Sequence, residues 1–314
     1  MKLYAPLLAL CATLAIAPAA RSQQDFSTVE VRSEPVAGSV HMLTGAGGNL
    51  AVSIGEDDAF LVDDQFAPLS ARIKAAIAKI SQKPVRFVLN THWHGDHTGG
   101  NESFGRAGSV IVAHENVRRR MSTEQFSEFM KTTTPKSPKA ALPVVTFTSD
   151  IVFHLNGDEI HAFHVPAAHT DGDTVVHFRR ADVMHLGDVF SNKLYPFIDT
   201  GSGGSVAGTI AAMDKAIALA GEGTRIIPGH GAMGTRADMQ AYRQMLATVH
   251  ERVQALVRDG KTEQEAIAAK PSAEFDEAWG KGFLKPEQFV SMVWNDLKHA
   301  SAPAAVPAAS AASR

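Results

Sequence analysis

Cysteine is all but missing: the chain has 314 residues and one thiol, Cys11. That thiol lies inside the apolar run Leu3 to Ala17, so removing the run leaves a mature chain with none, which suits an oxidising compartment. Leu10 before it is a poor lipoprotein signal. A basic excess is missing too. Thirty Lys and Arg stand against 33 Asp and Glu, a formal net charge of −3, so little is available to neutralise phosphates and nucleic acid is not an expected partner. The apolar run is short and broken by proline, a poor match to the ~20 residues of a membrane span. No fixed-period repeat and no separate second domain is visible, and Ser191 lacks a convincing nucleophile motif.

The N-terminus is patterned instead for export. Met1-Lys2 is a short positive start, and small residues follow the run at Ala17-Pro18-Ala19 and Ala20-Arg21-Ser22. This order predicts a signal peptide over residues 1–22, cut between Ala19 and Gln23, and a periplasmic or secreted protein with no stable membrane insertion afterwards. An uncleaved anchor or a buried first helix is the competing reading. The chain as a whole is 45% hydrophobic and is able to bury a large core.

Up to Phe66 the pattern is strand-like, with runs at Val40–Leu43, Leu50–Ile54 and Ala59–Val62. Gly45-Ala46-Gly47-Gly48-Asn49 resembles a phosphate loop, but a strand follows it rather than a helix, so a hairpin turn is expected. Leu69, Ile73, Ala76, Ile77 and Ile80 mark an amphipathic helix. A buried strand at Val85–Leu89 and a second strand-and-helix unit follow, with the strand at Val110–Ala113 and the helix at Asn116–Met130. An exposed Lys131–Pro143 loop comes next. Strands return at Val144–Phe147, Ile151–Leu155, Glu159–Val165, Thr174–Phe178 and Val183–Leu186. Helices dominate after Ser205, which reads as an N-cap: Val206–Ala220, Arg236–Arg258, Thr262–Ala269 and Pro286–His299. Strands combined with following helices predict sheets packed between helix layers. The main domain is expected at residues 30–235, C-terminal helices packed on it at 236–300, and a disordered Ala/Ser/Pro-rich tail at 301–314.

What the chain has in plenty is histidine, fourteen in all. In Thr91-His92-Trp93-His94-Gly95-Asp96-His97, four of six consecutive positions from His92 onward are metal-competent, and imidazole with carboxylate suits zinc. Gly95 permits the tight turn that lets its neighbours converge. Alone, this is also readable as a polar surface loop. Three further residues argue against that: His169 in a turn between strands, Asp188 at a strand end, and His230 where Ile226-Ile227 meets a glycine turn. Each lies where side chains from distant sequence meet over one rim.

The series His-x-His-x-Asp-His, then His169, Asp188 and His230, resembles the motif set of the metallo-β-lactamase superfamily from about Val40 to Gly231. Asp63 resembles its early structural aspartate, holding a ligand loop through hydrogen bonds, though a simple strand-end turn is the alternative. The resemblance implies an α/β fold, a four-layer αβ/βα sandwich of two mixed sheets flanked by helices. It also implies two Zn2+ ions, one on His92, His94 and His169, the other on Asp96, His97 and His230, bridged by Asp188. Two such ions ~3.5–4 Å apart need an anionic bridge, and three neutral imidazoles leave an open position for water. The function expected is a zinc-dependent hydrolase in which metal-bound hydroxide attacks the carbonyl of a small molecule, with Asp96 orienting it.

The best-known antibiotic-degrading subclass has cysteine where Asp188 stands and lysine three residues later, where this chain has Ser191. Asp188 resembles instead the bridge of lactonases and glyoxalase II-type thioesterases. A cyclic amide or ester, β-lactam or lactone, is the substrate expected, with a glyoxalase II-type thioesterase as the alternative. A redox diiron or a non-catalytic metal-binding protein is the reading from another class; imidazole at position 94 and a complete ligand set argue against both. Asn192, Lys193 and Tyr195 follow the bridge and are candidate hydrogen-bond donors to substrate, with solvated loop residues as the alternative. Trp93 reads equally as a substrate wall or a packed aromatic, and the Lys131–Pro143 loop equally as a pocket cover or as solvated lysines. His114, His154, His161, His164, His177 and His185 read as core histidines, and His41, His250 and His299 have no motif.

Overall fold

In the computed structural model, which describes residues 25–300, apolar and alternating runs sort into two sheets. The first opens as an antiparallel meander of β1 (Arg32–Ala37), β2 (Val40–Thr44), β3 (Leu50–Ser53) and β4 (Ala59–Val62). Next, β5 (Val85–Asn90) and β6 (Val110–His114) extend it in parallel. A separate hairpin, β7 (Gln125–Ser127) and β8 (Thr132–Thr134), joins neither main sheet, and β9 (Val145–Phe147) then closes the edge beside β6. The second sheet runs β10 (Asp150–Leu155), β11 (Asp158–His164), β12 (Thr174–Phe178) and β13 (Val183–His185), all antiparallel, with β14 (Arg225–Ile227) parallel to β13.

Four helices belong to the first half: α1 (Ser70–Ala78), the short α2 (Gly95–Thr98) and α3 (Asn101–Arg106), and α4 (Glu115–Met121). The second half carries α5 (Val206–Leu219), α6 (Arg236–Arg258), α7 (Glu263–Ala268), α8 (Ala273–Trp279) and α9 (Pro286–Ala300). Three apolar interfaces stack these elements into four layers. Val40, Phe60, Leu89 and Val112 of the first sheet meet Ile160, Val176, Phe178 and Ile227 of the second. Ile73, Ile77 and Phe104 cover the first sheet's outer face over Leu61, Val88 and Ile111. Met213, Tyr242, Leu246, Trp279 and Phe289 cover the second over Met184 and Ile226. The result is the expected αβ/βα sandwich.

Local chemistry explains the element choices. Strand β4, Ala-Phe-Leu-Val, is buried at every position because layers cover both its faces. Helix α6 starts on a reciprocal Thr235–Asp238 capping box and buries Met239, Tyr242, Leu246, Val249 and Val253, which fall on one face. The residues expected as C-terminal helices, 236–300, thus share one core with the second sheet and form its outer layer. No helix among the described residues is long and apolar enough to cross a membrane. The signal-like segment 1–22 and the tail 301–314 lie outside the described residues.

One of the expected helices departs from expectation. The helix predicted over Asn116–Met130 stops at Met121, and the β7–β8 hairpin takes the rest. Ser122 Oγ donates back to the Arg118 carbonyl at 2.7 Å, and the Thr123 hydroxyl points at those of Arg119 and Arg120. Side chains that compete in this way for helix carbonyls favour an exit from the helix.

Candidate metal centre

Parallel strands β4 and β5 pair Val62 with Leu89, so their C-terminal ends lie side by side. The next residues are therefore neighbours. Asp63 accepts from the Thr91 backbone N–H and hydroxyl, both at 2.7 Å. Asp63 sits in the left-handed region at φ 60°, which aspartate tolerates better than most residues. Its Oδ2 also lies 2.8 Å from His97 Nδ1. That bond turns Nε2 of His97 inward.

The other imidazoles are aimed the same way. Nδ1 of His92 lies 3.1 Å from the Thr91 hydroxyl, and Nδ1 of His169 lies 2.7 Å from the Phe197 carbonyl. In His94 the roles reverse: Nε2 lies 3.0 Å from Asp199 Oδ2, and Nδ1 faces His169 Nε2 at 2.9 Å. Such outer partners fix ring tautomer and orientation in metal sites. Asp188, on the turn after β13, reaches the middle. Its Oδ1 is 3.0 Å from His97 Nε2, and its Oδ2 is 3.4, 3.7 and 3.9 Å from Nε2 of His230, His169 and His92. Asp96 Oδ2 lies 3.3 Å from His230 Nε2 and 3.6 Å from His97 Nε2.

Two sets of side chains could therefore each hold a metal ion: His92, His94, His169 and Asp188, and Asp96, His97 and His230. Within each set the donor atoms lie within 4.8 Å of one another. Nε2 of His92 is buried without a hydrogen-bond partner, and Nε2 of His97 and Oδ1 of Asp188, also buried, face only each other at 3.0 Å with no aligned hydrogen bond. Leaving a group such as His92 Nε2 unpaired costs about 1–3 kcal/mol, and cation ligation is the function that would use these atoms. The donor set of imidazole and carboxylate fits zinc.

Charge divides the cluster. Burial and the neighbouring charge of His97 hold His92 well below the ordinary imidazole range, and burial brings His169 down to about 4. Burial also opposes a charge on His97, but the carboxylates of Asp188, Asp96 and Asp63 outweigh it and hold this imidazole well above its usual value. The Asp188 carboxylate raises His230 to about 10. In return, and against burial, the His97 and His230 charges bring Asp96 to about 2, and those of His230 and His97 hold Asp188 well below the carboxylate range.

Backbone from distant segments packs directly on these ligands. A Cβ on Gly48 would stand 2.1 Å from His97 Cε1, and one on Gly229 would stand 2.1 Å from Asp188 Oδ1; only glycine leaves the room. Asn49, beside Gly48, is a bracing residue that the sequence reading treated as part of a turn. Its Nδ2 donates to the Pro228 and Gly231 carbonyls at 3.0 and 2.9 Å. Its backbone N–H donates to Gly229 at 2.7 Å, and its carbonyl lies 2.9 Å from His185 Nε2. The β2–β3 turn of one sheet thus clasps the loop of the other that carries His230. Asp199 was missed as well; no local pattern marks a carboxylate 105 residues from His94 as its partner.

Four expectations are corrected. Tyr195 does not face a substrate: it is buried, stacked on Phe289 at 4.3 Å, with its hydroxyl donating to Asp276 at 2.7 Å. Lys193, in the left-handed region at φ 59°, points to Asp238 at 3.7 Å and lies over the Trp279 ring. Asn192 is buried; its backbone N–H donates to the His230 carbonyl and its Nδ2 to Ala232, so it supports the ligand loop. Gly95 opens α2 with negative φ and nothing within 4 Å of an added Cβ, so no tight turn requires it. Trp93 packs with Ala113, Val117 and Met121 and also borders a cavity of about 160 Å3, whose far side includes Gln125, Thr134 and Pro138.

The family model described as the metallo-beta-lactamase superfamily matches residues 44–230. A 2,4-dinitroanisole O-demethylase subunit alpha from Nocardioides sp. is 27% identical over 53% of this chain and 48% of its own. A hydroxyacylglutathione hydrolase from Nitrosococcus oceani is 29% identical over 52% of this chain and 55% of its own. The chain thus spans about half the length of the curated relatives it matches. Among solved structures, a metallo-beta-lactamase from Pontibacter korlensis superposes with a TM-score of 0.56 at 18% identity, covering 69% of this chain and 99% of that one.

Proposed function

This chain belongs to the metallo-beta-lactamase superfamily, and from that premise we propose that it is an exported binuclear zinc hydrolase acting on a carbonyl ester or amide, most readily a lactone or lactam. The observation that carries the reading is the convergence of seven side chains around the buried Nε2 atoms of His92 and His97 and Oδ1 of Asp188. His92, His94 and His169 would hold one ion and Asp96, His97 and His230 the other, with Asp188 within reach of both sets. When bound, zinc supplies Lewis acidity toward a carbonyl oxygen and acidifies water enough for attack at neutral pH.

The protein's own groups do the rest. Asp63, Asp199 and the Phe197 carbonyl accept from the outer nitrogens of His97, His94 and His169, which would turn a lone pair of each ring toward a bound metal. Asp96 is more open than Asp188 and remains ionised, so its carboxylate is placed to orient an attacking water, take its proton and deliver it to the leaving group. A thioester is the second reading, favoured by the aspartate at position 188 and by the hydroxyacylglutathione hydrolase relative. The order of Met1 to Ser22 supports export.

Purified mature protein is to be assayed for metal content and against lactone, β-lactam, thioester and phosphodiester substrates. About two equivalents of metal, turnover abolished by a chelator and turnover restored by Zn2+ are expected. Turnover indifferent to chelation removes the mechanism, and an N-terminal residue other than one between Ala20 and Gln23 removes the export assignment.

A further inference from the structure

Three phenylalanines line the His94–His169 side of the metal centre. The Phe197 ring lies 6.1 Å from that of His94 and 6.0 Å from that of His169. Phe129, in the tip of the β7–β8 hairpin, lies 5.0 Å from Phe197. Phe283, before α9, lies 6.2 Å from Phe129 and 6.5 Å from Phe197. Three separate segments thus bring their rings into one triangle, with its inner corner on the imidazoles.

The outer corners face water. Phe129 is 40% exposed and Phe283 is 62% exposed, whereas Phe60, Phe104, Phe178 and Phe190 are fully buried. Phe283 leaves most of its ring in water, whereas a ring that served only to anchor its loop would be expected to be covered, because apolar area left in water forgoes about 25 cal/mol per Å2. Contiguous exposed aromatic surface beside convergent polar groups has the make-up of a ligand cleft.

We propose that Phe129, Phe197 and Phe283 form an apolar subsite that takes an aryl substituent of the substrate, next to the bond held at His94 and His169. This rests on the hydrolase reading and narrows its substrate class to aryl-bearing esters or amides.

The test is a binding measurement. Zinc-loaded protein is titrated with 3-phenylpropanethiol and 1-propanethiol, which share a metal-seeking thiol and differ by the ring. The phenyl compound is expected to bind about tenfold more tightly, roughly the worth of burying part of one ring. In the Phe129→Ala/Phe283→Ala variant that ratio falls toward one, while metal content reports an intact centre. Equal affinities in the unaltered protein, or a ratio that survives in the variant, overturn the subsite. Failure of the hydrolase reading looks different: no ester or amide is turned over while the thiol preference stands.

Discussion

On the floor of the cleft, the outer nitrogens of His92, His94, His97 and His169 all have a partner within 3.1 Å, and Gly48 and Gly229 leave no room for a methyl group. At its mouth, Phe129 and Phe283 face water, Gly95 borders open space, and Lys193 leans away on Asp238. The floor is over-determined by hydrogen bonds from both sheets. The mouth is built from loops and from a hairpin that pairs with neither large sheet. Chemistry common to a family is carried by the first kind of region, and selection among substrates by the second.

The sharpest way to break this contrast is at the centre of the floor. Asp188→Ala removes the one carboxylate that reaches four imidazoles, and bound metal and nearly all turnover are expected to go together. Metal analysis beside the assay checks it, and a variant that keeps both shows that Asp188 is not the bridge. A step outward, Asn49→Ala leaves the Pro228 and Gly231 carbonyls without their donor. A loss of about 2–3 kcal/mol in denaturant unfolding is expected, from groups left unpaired, together with weaker metal retention at the His230 side. At the mouth, Lys193→Ala is expected to change stability by no more than about 0.5 kcal/mol and to alter KM equally for anionic and neutral substrates. A selective rise for anions would place its ammonium back in the cleft.

The same contrast explains what could be read in advance. His92, His94, Asp96 and His97 are close along the chain, and residues packed so densely with donors point to one function. His169, Asp188 and His230 each stand where a strand meets a turn, so their convergence followed from the layer architecture. The capping box of α6 and its apolar spacing made that helix plain. Asn49 and Asp199 were not visible, because a brace is defined by what lies across from it, and its partners are 179 and 105 residues away. Tyr195 misled for the same reason. Its position after Asp188 says nothing of Asp276, 81 residues on, which takes its hydroxyl.

The β7–β8 hairpin is hydrogen-bonded into neither large sheet. Its tip is therefore free to lengthen, shorten or change residues without disturbing strand register or the packed interior. Evolution and the engineer alike have in it a replaceable fingertip: repertoire is adjusted there while the reactive machinery beneath stays as it is.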